Sequence, residues 1–236
     1  MNLAGNLDSI RHRIAAACDR ARRDPGDVTL LAVTKSQPPE RVAEAAALGL
    51  SWFGENKVQE ALAKIPLCPG RLRWHMIGHL QTNKCREAVQ GFEMIQSVDS
   101  LHLAEEINKR ADQAARTMPV LLEVNAVGEA SKFGFRPEQL LSEFPKLNAL
   151  PRLEIRGLMT VPPWSALAES VRPVFRHMRQ LKEECEHILG APLPHLSMGM
   201  SGDFEVAIEE GATIVRIGTA LFGPRPITVR PVVSGV

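Results

Sequence analysis

Lys35 closes the run Leu30-Leu31-Ala32-Val33-Thr34-Lys35, a mostly apolar segment broken at once by Ser36-Gln37-Pro38-Pro39. An amine carried to a strand end and partly withdrawn from water is costly to keep as an ammonium. Burial therefore frees its lone pair to attack a carbonyl carbon. That is Schiff-base chemistry. Far along the chain, Met198-Gly199-Met200-Ser201-Gly202-Asp203 precedes a helical stretch, and Arg216-Ile217-Gly218-Thr219 ends a strand-like run. Glycine lets backbone N–H groups approach an anion and a helix start favours negative charge, so these two segments have the composition of a phosphate site. Their plainer role is a tight turn at Gly199 and Gly202, with Ser201 as a helix cap.

A reactive amine and a phosphate site in one fold leave two chemistries open. One is a Schiff-base aldolase acting on a phosphorylated sugar. The other is a pyridoxal phosphate site, with Lys35 on the aldehyde and the two glycine-bearing loops on the phosphate. His75 and His79 stand four apart, but a strand holds that spacing too wide for one metal ion and no third ligand accompanies them, so no metal site is expected. Met198 and Met200 suit packing. The sequence contains no dinucleotide glycine motif, no phosphate-binding Walker loop and no ordered Ser/His/Asp set.

To bring Lys35 and Arg216 together the chain must fold so that many strand ends share one face. Eight runs read as strands: Val28 to Val33, Ser51 to Phe53, Arg73 to Gly78, Met94 to Val98, Pro119 to Val124, Leu153 to Val161, His195 to Met198 and Thr213 to Ile217. Each is followed by a helical pattern or a short link. Val58, Ala61, Leu62 and Ile65 share one helix face, and Leu103, Ile107, Ala111 and Ala114 another behind a Ser100 cap. A long stripe aligns Leu167, Val171, Val174, Met178, Leu181, Cys185 and Ile188, with Pro173 early in it; Pro145 should disturb the helix from Pro137 to Leu147. Ahead of the first strand, Leu3, Leu7, Ile10, Ile14, Ala17 and Ala21 describe a leading helix over about residues 3–22. Eight strand-then-helix units predict an α/β fold, a single (β/α)8 TIM-type barrel with an extra N-terminal helix. Its core spans about residues 28–223, and a short tail begins at Pro224. A doubly wound open sheet is the competing architecture. On the barrel, Lys35, Asn56, Gly78, Ser97, Asn125, Thr160, Ser201 and Gly218 all fall at or near strand ends, on the face where barrel chemistry gathers.

Composition limits the partners. Among 236 residues, 28 basic and 27 acidic side chains are well mixed, which leaves no electrostatic footprint for nucleic acid or an anionic membrane. The 4 cysteines lack paired spacing, and no apolar run reaches membrane length, which suits the cytoplasm. With 0 tyrosines, no phenol on this chain can act as acid, base or stacking partner.

Taken in order, Leu31-Ala-Val-Thr-Lys35, Phe53-Gly-Glu-Asn-Lys-Val-Gln-Glu60, His75-Met-Ile-Gly-His-Leu-Gln-Thr-Asn-Lys84, Ser131-Lys-Phe-Gly134, Gly157-Leu-Met-Thr160, Leu196-Ser-Met-Gly-Met-Ser201 and Val215-Arg-Ile-Gly-Thr-Ala-Leu-Phe-Gly223 resemble the YggS/PROSC family, the pyridoxal phosphate homeostasis proteins. The resemblance implies the barrel of the alanine racemase N-terminal domain. It also implies that Lys35 holds pyridoxal 5′-phosphate as an internal aldimine, that Ser201, Gly218 and Thr219 receive the phosphate, that Arg216 faces the pyridine nitrogen, and that Asn56 and His75 line the ring. The family is described as binding, buffering and delivering the cofactor without established turnover, which makes PLP-dependent apo-enzymes its expected partners. A permanent guanidinium beside the ring nitrogen opposes its protonation and weakens the ring as an electron sink. The related racemases add a tyrosine base from a second domain, and this sequence has no tyrosine. A PLP-dependent racemase or Schiff-base aldolase is the alternative. Relatives commonly carry tyrosine where this chain has Lys57, and Lys132 offers a possible second amine. A monomer is expected.

Overall fold

A computed structural model describes residues 2–129 and 132–224. The tail expected from Pro224 therefore lies, beyond its first residue, outside the described residues. Eight parallel strands close into a barrel in chain order, and the eighth pairs with the first. They are β1 (Thr29–Val33), β2 (Trp52–Glu55), β3 (Arg73–Met76), β4 (Met94–Val98), β5 (Met118–Glu123), β6 (Leu153–Met159), β7 (His195–Ser197) and β8 (Ile214–Ile217). All eight predicted strands are present, and closure decides against the open sheet.

Register fixes what faces inward. Leu31 stands beside Arg216, Val33 beside Gly54, Gly54 beside His75, His75 beside Met94, and Met159 beside Ser197. Because strand side chains alternate, these positions share the interior, and Lys35 continues the Leu31, Val33 side of β1. The lower interior is apolar: Leu31, Met94, Leu121, Met159 and Ile214 pack together, with Trp52 and Ile77 against them. Outside, the strands are covered by helices in one large core. At the β5/β6 seam the register slips between Val120 and Leu121. There Gly157 takes φ +148°, and a Cβ on it would lie 1.8 Å from the His195 carbonyl oxygen, so only glycine fits.

The helices are α1 (Leu3–Arg20), α2 (Pro39–Ala47), α3 (Val58–Lys64), α4 (Cys85–Gly91), α5 (Leu101–Gln113), α6 (Pro137–Asn148), α7 (Arg172–Leu189), α8 (Phe204–Glu209) and α9 (Thr219–Phe222). Asn2 caps α1 by accepting from the Gly5 N–H, and Leu3, Leu7, Ile10, Ile14 and Ala17 are buried as the stripe predicts. Arg13–Glu205 and Arg20–Glu209 ion pairs, at 2.7 and 2.6 Å, tie α1 to α8. Ser100 caps α5 as predicted. Pro145 sits inside α6, which continues through it to Asn148 although the proline has no N–H to donate back along the helix.

The α7 stripe needs correction. The helix starts at Arg172 with Pro173 in its first turn, its inner face is Phe175, Met178, Leu181 and Cys185, and Leu167 and Ile188 are 72% and 45% exposed. The sequence stripe slid by one position at Val174 and Phe175, both apolar and adjacent. Cys18, Cys85 and Cys185 are buried and Cys68 is half-buried, all as free thiols.

Candidate functional site

The carboxyl ends of the strands bring the predicted residues to one end of the barrel. Lys35 stands two residues beyond β1, Asn56 one beyond β2, Ser201 in the β7–α8 loop, and Gly218 and Thr219 directly after β8, while His75 and Arg216 lie within β3 and β8. Ser97 is a correction: its neighbour Gln96, inside β4, bonds across the interior instead. A strand end predicts depth but not which of two adjacent residues turns inward.

Arg216 anchors a directed chain of hydrogen bonds. It is buried, and its Nη2 donates to the Thr160 carbonyl at 2.7 Å while Nη1 donates to Ser197 Oγ at 2.8 Å. Ser197 then donates to Gln96 Oε1 at 2.7 Å, and Gln96 Nε2 donates to His75 Nδ1 at 2.8 Å. Since a guanidinium only donates, every proton in this series is placed. His75 must accept at Nδ1 and carry its own proton on Nε2, which is buried and finds no partner among the described residues. Burial, reinforced by His195 and Arg73, pushes His75 down to about 3, so the ring is neutral. Burial also lowers Arg216, to about 10, against the pull of Glu123 and Asp203; it stays charged at neutral pH.

Glu123, at the end of β5, is pushed up to about 7 by burial and by Asp99, with Arg216 opposing. It borders a cavity of about 260 Å³ together with Asn56, Asn125 and Lys132. His79 and Phe133 stack over this cavity with ring centroids 3.6 Å apart, and His79 Nδ1 lies 3.0 Å from Asp99. His75 and His79 therefore face different surroundings, and among the described residues no three metal-ligating side chains converge. Lys57 is exposed at the start of α3, and Lys132 pairs with Glu129 at 3.0 Å.

At the opposite rim, Ser201 Oγ accepts from the Ala220 N–H at 3.1 Å, joining the β7–α8 loop to α9. The glycines here differ in kind. Gly199 has φ +91° and a Cβ on it would lie 2.6 Å from the Ala207 side chain, so packing demands it. Gly202 has nothing within 4 Å, and a Cβ on Gly218 would meet Val33 at an ordinary 3.5 Å. Neither is required by the packing of the described residues, so both backbones border open space at this rim. Gly78 belongs with Gly199: its Cβ would lie 2.4 Å from the Asn56 carbonyl oxygen. Asn56 Oδ1 is buried and has no partner among the described residues.

This donor set fits pyridoxal phosphate: an amine at the mouth of the barrel, a buried cation on the neighbouring strand β8, open space beside Gly202 and Gly218 and, among the described residues, orphaned buried atoms on Asn56 and His75. Sequence reading missed Gln96 and Glu123. The available signal was a long polar side chain in the middle of a short strand with an apolar start and end, as Gln96 in Met94-Ile-Gln-Ser-Val98, which demands an internal partner.

The family model described as alanine racemase, N-terminal domain, matches residues 5–226, which defines the class of barrel. The pyridoxal phosphate homeostasis protein of Aquifex aeolicus is 47% identical over 226 residues, covering 95% of this chain and 99% of that one. The chain belongs to the family of pyridoxal phosphate homeostasis proteins. Among solved structures, PipY of Synechococcus elongatus PCC7942, with PLP bound, is 38% identical with a TM-score of 0.83, over 94% of this chain and 100% of that one. An alanine racemase of Clostridium difficile 630 shares the fold at 17% identity and a TM-score of 0.72, with 95% of this chain matching 57% of that one.

Proposed function

We propose that this protein binds pyridoxal 5′-phosphate and acts in its homeostasis, holding the cofactor for supply to PLP-dependent apo-enzymes. The observation that carries this is the placement of Lys35 at the mouth of a barrel whose interior holds the buried Arg216 cation, beside the unfilled backbone at Gly202 and Gly218. Pyridoxal phosphate, when bound, supplies an aldehyde and an electron-drawing pyridine ring. Lys35 would hold that group through its amine. Ser201, Gly218 and Thr219 receive the phosphate. Arg216 would meet the pyridine ring as a donor that cannot take up a proton, which would disfavour carbanion chemistry. Asn56 offers its orphaned Oδ1 and His75 its Nε2–H. The relatives' name describes homeostasis and no reaction, and the racemase likeness speaks for fold alone.

No helix among the described residues is long and apolar enough to cross a membrane. We take the protein to act as a cytoplasmic monomer; sedimentation of the purified chain checks the second half. The main test is absorbance of the purified protein with added cofactor, followed by borohydride reduction and peptide mapping. A reduced adduct on Lys35 is expected. The same chromophore and adduct yield in Lys35→Ala would overturn the assignment, and sustained racemisation of an amino acid by the pure protein would overturn the carrier reading.

A further inference from the structure

The residue that holds the cofactor in this reading sits in a turn, and the turn is held from outside. The Gln37 N–H donates to the Thr34 carbonyl at 2.9 Å, which makes Lys35 and Ser36 the two central residues. Ser36 takes φ +62°, a left-handed conformation unfavourable for a residue with a side chain. Such a shape persists only where its surroundings impose it. The two flanks of Lys35 are held by three side chains that are paired with one another through Lys64. Thr34 Oγ1 donates to Glu55 Oε1 at 2.7 Å, the Ser36 N–H donates to Glu60 Oε1 at 2.6 Å, and Lys64 Nζ donates to the Thr34 carbonyl at 2.8 Å. Lys64 also pairs with Glu55 Oε1 at 2.7 Å and lies 3.6 Å from Glu60.

Glu55 is 0% and Lys64 6% exposed. A buried ion pair is seldom more stabilising than two apolar side chains of the same volume, so its presence calls for a reason beyond stability. Here the geometry supplies one. Apolar side chains cannot fix a carbonyl, a hydroxyl and an N–H on either side of one residue. Glu60 and Lys64 stand one helical turn apart on α3 and share a face, while Glu55 ends β2, so a strand end and a helix grip the end of the neighbouring strand.

We propose that Glu55, Glu60 and Lys64 are positioning residues for Lys35. They hold its turn in the one shape that directs the amine into the barrel, and thereby set the rates of cofactor capture and release without touching the cofactor. The inference rests on the pyridoxal phosphate reading above.

The deciding experiment compares wild type with the double variant Glu55→Leu/Lys64→Met and with the single variants Glu60→Ala and Glu60→Gln. Each is measured for thermal midpoint without cofactor, rate of appearance of the bound-cofactor absorbance, rate of cofactor release to a trapping amine, and borohydride adduct at Lys35. The double variant removes both charges together and should keep its thermal midpoint, yet capture should slow and release quicken by about tenfold, because the amine is no longer pre-aimed. Glu60→Ala should show a smaller change of about threefold, the size of one lost hydrogen bond, and Glu60→Gln, which still accepts, should recover the wild-type rates. A stable double variant with wild-type rates overturns the proposal. So do equal rates for Glu60→Ala and Glu60→Gln, and this pair decides the matter if the double variant does not fold. Absence of any Lys35 adduct in wild type is a different failure: it removes the cofactor reading, and the proposal with it.

Discussion

Two buried cations sit in this barrel, and their partners differ. Lys64 bonds a carboxylate at 2.7 Å and a carbonyl at 2.8 Å. Arg216 bonds only neutral oxygens, Ser197 Oγ and the Thr160 carbonyl, and among the described residues it stands in no ion pair; Glu123 and Asp203 act on it only at longer range. One charge is matched within the protein and fixes backbone. The other is oriented by hydrogen bonds but not matched, so it remains available to a ligand. Burial alone therefore does not mark a functional charge; the kind of partner does.

That contrast can be broken most directly by removing each cation. Lys64→Met leaves Glu55, whose Oε2 lacks a partner among the described residues, buried without a countercharge and should cost about 3–5 kcal/mol in urea unfolding. Arg216→Met leaves only neutral acceptors unpaired and should cost about 1–3 kcal/mol without cofactor, while weakening cofactor binding more than Lys64→Met does. Equal losses of stability would erase the distinction.

The hydrogen-bond series from Arg216 predicts a pH effect. The unfolded chain protonates His75 near 6.5 and the folded chain only near 3, so the unfolded state binds the extra proton between those values. Stability should fall as pH drops through that window, by on the order of 5 kcal/mol at the limit, and His75→Gln should flatten the dependence of the thermal midpoint on pH. Glu123 runs the other way. It keeps its proton up to about 7 in the fold but only to 4.5 when unfolded, so its contribution is full at low pH and is lost as pH rises between those values. Glu123→Gln should remove that smaller, opposite slope. The smallest effect belongs to Ser197→Ala, which removes one acceptor from Arg216 and one donor to Gln96. We expect about 1–2 kcal/mol of lost stability and a few-fold weaker cofactor binding.

The barrel was legible because each strand is a short apolar run and each helix repeats its own stripe, both local signals. The positions of Lys35, Asn56, Ser201 and Gly218 at one end followed from strand order. What stayed hidden was pairing between distant segments. Nothing near Gln96 in sequence names Ser197 as its partner, 101 residues away, and nothing near Lys64 names the Thr34 carbonyl. Val174 misled for a related reason: it and Phe175 are adjacent, both apolar, and fit a helical period equally well, and it is Phe175 that the fold buries.

The thiols give the molecule an internal reporter. Burial pushes Cys85 and Cys185 up to about 12 and raises Cys18 as well, which leaves them poor nucleophiles inside the fold. Cys68 is raised too, yet it is half-buried and Lys64 draws it back down. A thiol-reactive fluorophore added to the native protein should therefore mark Cys68 selectively, four residues past Lys64, and its emission would register movement of α3 as cofactor enters or leaves.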